Sequence, residues 1–392
     1  MRFAANLSPT SRRQAPANAL INFYAKVKKI ILTMTGNEKY VCPLLKNPER
    51  YNPDTLNLVE NLQARNYWLP CLEQMVKKFV SKAQYLHPDD PKATEKAEVC
   101  YQDFHNLLEQ LTSDPNILKP LSVRTLLEFN ENNLRSKYFK DAWLVQKENE
   151  STNALSQFKS RIKQIDSIKD FHSRWFEIIQ GVLAGNVFDW GAKIVIDILE
   201  SNKGNFGFDE ATKTIQKRPW FSDKLDEFVD KLKVKPYKTC IIFVDNSGYD
   251  FVLGILPLAR EFLSQGTKVV LTANSYPALN DVTFQELNIY CKKAADYCKI
   301  FERSLFNGKL VTVENGQKGP CLDLADLSAE LCECMKSADL VIIEGMARAV
   351  HTNLYTKLTV DCLKLAVLKN EWLARNLGAE KFSVICDFDS AT

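Results

Sequence analysis

From residue 239 onward, dense runs of Val, Ile, Leu and Phe alternate with longer stretches in which apolar residues recur every three or four positions. Such runs are too apolar for a half-exposed strand and predict strands covered on both faces. Strands are expected at 239–244, 268–273, 309–314, 340–343 and 382–386, with helices at 251–264, 284–301, 324–335 and 354–377. This alternation predicts an α/β fold: a doubly wound, mostly parallel sheet in a Rossmann-like three-layer arrangement.

Ahead of it the rhythm is helical. LVENLQARNYWLPCLEQMVKKFV (58–80) and VCYQDFHNLLEQL (99–111) place apolar residues at helical spacing, separated by Pro88, Pro91, Pro115 and Pro120. Polar KENESTN (147–153) reads as a loop, and helix resumes over 171–199 with a break around 185–191. The domain reading is a basic leader at 1–38, disordered or targeting, an N-terminal helical domain at 39–200, and an α/β core at 201–392.

Composition narrows the function classes. The 392 residues carry a net charge of +3, too little to argue for nucleic acid or an anionic membrane. No apolar run approaches the roughly 20 residues needed to cross a bilayer. The eleven cysteines include no CxxC pair and read as reduced thiols. The leader holds Arg2, Arg12, Arg13, Lys26, Lys28 and Lys29 with no acid before Glu38. A mitochondrial transit peptide is the alternative there to a cytoplasmic protein.

The candidate chemistry sits where the strands end. TCIIFVDNSGYD (239–250) closes on Asp245 and Asn246, and KVVLTANSYPALND (268–281) on Asn274 and Asp281. Glu344 and Arg348 follow the fourth strand. In open α/β sheets ligands bind beyond the carboxyl ends of the strands. Two carboxylates and an amide oxygen form a hard-oxygen set suited to Mg²⁺ or Mn²⁺. Arg348, Lys369 and His351 would supply charge and donors for a phosphate. Taken singly, an Asp or Asn after a strand is more often a cap or turn former, and Asp281 before a helix is a natural N-cap. Lys369, on a late helix, would ordinarily face solvent. No GxxxxGK[ST] loop occurs, and Ser247 breaks the DxD that a haloacid-dehalogenase phosphatase needs.

The stretch FVDNSGYDFVLGILPLAREFLSQGTKVVLTANSYPALNDVT (243–283), with LAGNVFDWGAK (183–193) and EGMARAVHTN (344–353), resembles the metal-dependent damage-control phosphatases over nearly the whole chain from Lys39. The resemblance implies a divalent metal (Mn²⁺, Ni²⁺, Co²⁺ or Mg²⁺) on Asp245, Asn246 and Asp281, with Arg348 and Lys369 beside them as catalytic residues. It implies substrate contacts from Asn186, Asp189, Asn274, Glu344, Gly345, His351 and Asn353. Ala347 replaces the second glycine of the family's EGMGR signature. The kinase domain that precedes this unit in some relatives is expected to be lacking. The implied reaction is hydrolysis of a phosphate monoester, 4′-phosphopantetheine or an oxidised form such as its S-sulfonate, which would limit coenzyme A synthesis. The alternatives are a sugar-phosphate substrate such as fructose 1-phosphate, or a non-catalytic scaffold that keeps the fold. The expected partner is a small phosphate ester, with no nucleic acid and no membrane, and a homodimer is admissible.

Overall fold

Among the residues that the computed structural model describes, 39–189 and 207–391, seven strands form one sheet. They are β1 (Ser222–Asp223), β2 (Thr239–Phe243), β3 (Lys268–Ala273), β4 (Leu310–Glu314), β5 (Leu340–Glu344), β6 (Asp361–Val367) and β7 (Val384–Asp389). Their order is β1-β7-β6-β5-β2-β3-β4, and every pairing is parallel except β6 with β7. The leader reading for 1–38 lies outside the described residues.

The strand runs fold as their composition asks. Every residue of β2, β5 and β6 is buried, as expected for parallel strands with both faces covered. Connectivity reverses beside β2, which pairs with β3 on one side and with β5 on the other. That switch point opens a crevice at the strands' carboxyl ends. Asp245, just past β2, and Glu344, the last residue of β5, meet there.

The helices include α1 (Leu62–Tyr85), α2 (Ala93–Ser113), α3 (Val123–Ser136), α4 (Leu144–Ser167) and α5 (Phe171–Gly185). After β2 come α6 (Leu256–Ser264), α7 (Phe284–Tyr297), α8 (Lys299–Phe306), α9 (Ala329–Met335) and α10 (Glu371–Asn376). One hydrophobic core joins Ala154 and Phe158 of α4 and Trp175 of α5 to Ile242, Leu363 and Phe388 of the sheet. Helices that precede residue 200 thus share a core with the strands that follow it. None of the described helices is long and apolar enough to cross a membrane.

Three expectations are corrected. The helix expected at 354–377 is instead β6 followed by short α10. Leu, Lys and Ala in this segment favour helix locally, but pairing with β5 and β7 overrides that preference. The loop expected at 147–153 lies inside α4. Its polar residues are used inward: Lys147 pairs with Asp141 at 2.7 Å and Glu286 at 2.9 Å, and Ser151 is buried. The helix expected at 284–301 breaks at Cys298 into α7 and α8. Its N-cap is Thr283, in a capping box with Glu286, so Asp281 is released from that role.

On α3, burial pushes the Glu131 carboxyl from its ordinary 4.5 up to about 7, against the opposing pull of Arg135. The folded chain therefore holds a proton that the unfolded chain releases across that range. The stability this contributes is full below pH 4.5 and lost as pH rises through about 7. Thermal midpoints recorded from pH 4 to 8 should fall more steeply with pH in the parent than in Glu131→Gln. Equal slopes would show that Glu131 does not titrate in this window.

Candidate functional site

The turn after β2 builds the site. Gly248 takes φ +73°, and its N–H donates to Ser151 Oγ of α4 at 3.1 Å. The turn runs into a π-helical segment, Asp250–Ile255, that brings Asp250 back beneath Asn246. Asn246 Nδ2 donates to Asp245 Oδ2 (2.8 Å) and to Asp250 Oδ2 (2.9 Å). With its amide hydrogens so committed, the carbonyl oxygen Oδ1 is the atom left for a cation. Single-turn π segments of this sort are frequent at functional sites.

Asn186, the C-cap of α5, ties the acids together. Its Nδ2 donates to Asp245 Oδ2 (3.0 Å) and Glu344 Oε1 (2.8 Å), and Glu344 Oε2 accepts from the Asp245 N–H (2.8 Å). Asp245, Asp250 and Glu344 each offer an oxygen within 4.8 Å of the others, all buried. Burial, with Asp250 alongside, holds Glu344 well above the usual carboxylate range, and burial lifts Asp250 to about 6. Asp250 Oδ1 has no donor among the described residues.

Opposite them, the segment with Asp281 pairs with the β2 turn: Val282 N–H donates to Asp245 O (2.9 Å) and Ser247 N–H to Asn280 O (2.9 Å). Asp281 Oδ2 accepts from Asn274 Nδ2 (3.0 Å) and Arg348 Nη2 (2.7 Å). The other arm of Arg348 donates to Asp245 Oδ1, so one guanidinium stands between the two carboxylates. Burial raises the Asp281 carboxyl well above its ordinary value, with Asp189 adding to the effect. Burial also lowers Arg348 to about 9.

A cavity of about 300 Å³ opens over this cluster. Asp189, Asp245, Asn246, Asp281 and Lys369 are among its polar lining, and Trp68, Met75, Leu127, Leu279 and Met346 among its apolar lining. Lys369 does not lie on a solvent-facing helix. It follows β6, is fully buried, and donates to Asn186 O (2.6 Å) while pairing with Asp189 Oδ2 (2.9 Å). His351 also lines the cavity, edge-on to Trp68 at 5.0 Å, with burial lowering its pKa to about 4. It is neutral at neutral pH and so brings no charge to a phosphate.

The remaining candidates fall into other places. Asn274 and Glu344 are buried behind the residues that face the cavity, and Arg348 is spent on Asp245 and Asp281 rather than turned to the cavity. Gly345 lies directly beneath Asp245. Asn353 is structural: it adopts φ +63°, its Nδ2 donates to Leu322 O and Arg348 O, and its Oδ1 accepts from Tyr51. Ala347 lines the cavity and opens the π segment Ala347–His351 without a positive φ, so glycine's backbone freedom is not required there. Sequence reasoning missed Asp250, though it stands five residues beyond Asp245 in the same motif. It also missed Trp68 and Met75, whose helical spacing marks them only as core.

Among the described residues around the cavity floor, five carboxylates (Asp189, Asp245, Asp250, Asp281, Glu344) are met by Arg348, Lys369 and, beside Asp281, Lys147. Buried carboxylates in contact cannot all ionise without more positive charge, so they share protons or hold a metal. The unpaired oxygen of Asp250 and the oxygen-only donor set fit a hard divalent ion.

Residues 69–385 match the model of the damage-control phosphatase ARMT1-like domain. The chain is 37% identical to mouse 4′-phosphopantetheine phosphatase, over 89% of its own length and 48% of the mouse protein. It is 36% identical to pantothenate kinase 2 of Oryza sativa subsp. japonica, over 89% of its length and 41% of the rice protein. Against a damage-control phosphatase of Arabidopsis thaliana the identity is 34%, over 76% of this chain and 81% of the other. The chain spans about half the length of the first curated relatives it matches. A DUF89 family protein from Pyrococcus horikoshii shares the fold, with a TM-score of 0.55 at 18% identity over 81% of this chain and 96% of that one.

Proposed function

Because the chain belongs to the damage-control phosphatase ARMT1-like family, we propose that it hydrolyses the phosphate monoester of 4′-phosphopantetheine and of its oxidised or damaged forms, such as the S-sulfonate, and so limits coenzyme A synthesis. The observation that carries the reading is one cavity with a charged, oxygen-rich floor and an apolar wall. It suits an ester with a phosphate at one end and a long, weakly polar chain at the other. The name of the mouse relative points the same way.

Asp245, Asn246 and Asp281, which line the cavity, would hold the metal, with Asp250 and Glu344 behind them and offering further oxygens within 4.8 Å of Asp245. When bound, a divalent ion supplies Lewis acidity toward phosphate oxygens. The chain's own residues do the rest. Lys369 turns an ammonium toward the cavity from a fully buried stem, placing positive charge beside incoming phosphate oxygens. Asp189 and Asn186 fix that ammonium. The apolar wall displaces water from the ester chain and strengthens each charge interaction at the floor. Asp245 already accepts hydrogen bonds from Asn186, Asn246 and Arg348, and Asp281 from Asn274 and Arg348, which leaves both poor nucleophiles. Water is therefore the attacking group in this reading.

The test is turnover by the purified chain of 4′-phosphopantetheine, its S-sulfonate and fructose 1-phosphate, each with Mg²⁺, Mn²⁺, Co²⁺ and Ni²⁺. Pantetheine esters should be preferred, and Lys369→Met should lower their kcat about 100-fold, the scale for losing one preorganised charge donor. Preference for the sugar phosphate, or no turnover with any ion, would overturn the assignment.

A further inference from the structure

Leu279 has the unusual backbone of this site. It takes φ +47°, a left-handed conformation that disfavours a branched side chain, yet it is buried and lines the cavity two residues before Asp281. A strained residue persists only where its surroundings over-determine it. Locally the turn is closed by the Asp281 N–H on Ala278 O (3.0 Å), and α3 holds it from outside, where the Glu131 carboxyl accepts from the Leu279 N–H. Arg135 Nη1 donates to Pro277 O and Nη2 to Lys318 O, both at 2.8 Å. Asn132, one turn earlier, receives a further bond from Nη2 at 2.9 Å and steadies the fork. The guanidinium also lies over the Tyr276 ring, 5.7 Å from its centroid. One side chain therefore straps two loops, the one after β3 that carries Leu279 and Asp281, and the one after β4 that carries Pro320. Both loops form cavity wall. Beyond Leu279 the chain is held again, by Asn280 Nδ2 on Phe188 O (3.0 Å) and the Asn280 carbonyl on Ser247 N–H.

We propose that Arg135 is a positioning residue: by clamping the Pro277 and Lys318 carbonyls it keeps the strained Leu279 turn in place and thereby sets Asp281 against Asp245 at the cavity floor. It touches no substrate and acts only through the loop. Its kinetic consequence rests on the phosphatase reading, but its structural consequence does not. Arg is required because a forked, planar donor reaches two carbonyls at once, whereas Lys offers a single point charge.

Amide hydrogen exchange of the full chain, followed by mass spectrometry, gives the direct readout. In Arg135→Met, which keeps the apolar stem, exchange across 276–281 should rise about 10-fold while the strands keep the parent rate. Arg135→Lys should fall between. Mn²⁺ affinity should drop about 10-fold in Arg135→Met, and adding Leu279→Asn, which accepts the left-handed backbone, should recover most of that loss relative to Leu279→Asn alone. Parent-like exchange at 276–281 in Arg135→Met overturns the proposal. So does acceleration spread uniformly over the chain in both Arg135 variants, since the residue would then hold the whole fold rather than this loop. A parent that binds Mn²⁺ but hydrolyses no phosphate ester refutes the functional reading and leaves the exchange result to decide this one.

Discussion

Gly345→Ala should abolish turnover almost completely while leaving a folded protein. Gly345 has φ +104°, a conformation that L side chains rarely adopt. A Cβ built there would stand 2.2 Å from Asp245 Cγ and 2.3 Å from its Oδ2. Asp245 cannot easily move aside, because Asn186, Asn246 and Arg348 all hold its carboxylate. The variant should lose about 2 kcal/mol from backbone strain. Displacement of the carboxylate should lower kcat by at least about 100-fold, the scale for a misplacement near 1 Å. Gly308→Ala separates the two causes. Gly308 also has positive φ (+71°), but a Cβ there meets nothing within 4 Å. It should lower the thermal midpoint with unchanged turnover. Equal activity in Gly345→Ala and the parent would mean that Asp245 need not sit where the structure places it.

Asp245→Asn should be the most damaging substitution for activity. It retains shape but removes the charge that Arg348 faces, and turns an amide toward the donors of Asn186 and Asn246. The predicted loss in kcat is about 1,000-fold or more, with Mn²⁺ binding, followed by calorimetric titration, falling in parallel. Breaking one partner of a buried ion pair typically destabilises by about 3 kcal/mol. Here Asp281 still holds the second arm of Arg348 at 2.7 Å, so the thermal midpoint should fall by less than that figure implies. Parent-level Mn²⁺ affinity in Asp245→Asn would remove this residue from the metal set.

Asp245 and Asn246 were legible because the run TCIIF is unambiguous and the polar pair follows it directly. Asn274 follows KVVLTA in the same way, and Asp281 closes the Pro-containing turn after it, although the cap it seemed to form belongs to Thr283. Lys369 was placed in a helix because its segment mixes Leu, Ala and Lys in proportions that suit either structure. Arg348 reads as a phosphate clamp from its charge, its place after the fourth strand and its motif, and only the folded chain shows that Asp245 and Asp281 already claim both its arms. Asn353 carries the same residue type as a ligand but has its amide consumed by a turn.

What the residue order determines by itself is the α/β class, the all-buried strands β2 and β5, and the polar pair at the strand end, since each follows from local runs whose burial needs no partner to be inferred. The tertiary structure alone decided that 361–367 is a strand, that Asp250 and Glu344 meet behind Asp245, and that Arg135 reaches Pro277 from 142 positions away. The reason is physical: helix preference and charge are properties of a short window, whereas strand pairing, proton sharing between buried acids and a bridging guanidinium exist only once distant segments are in contact.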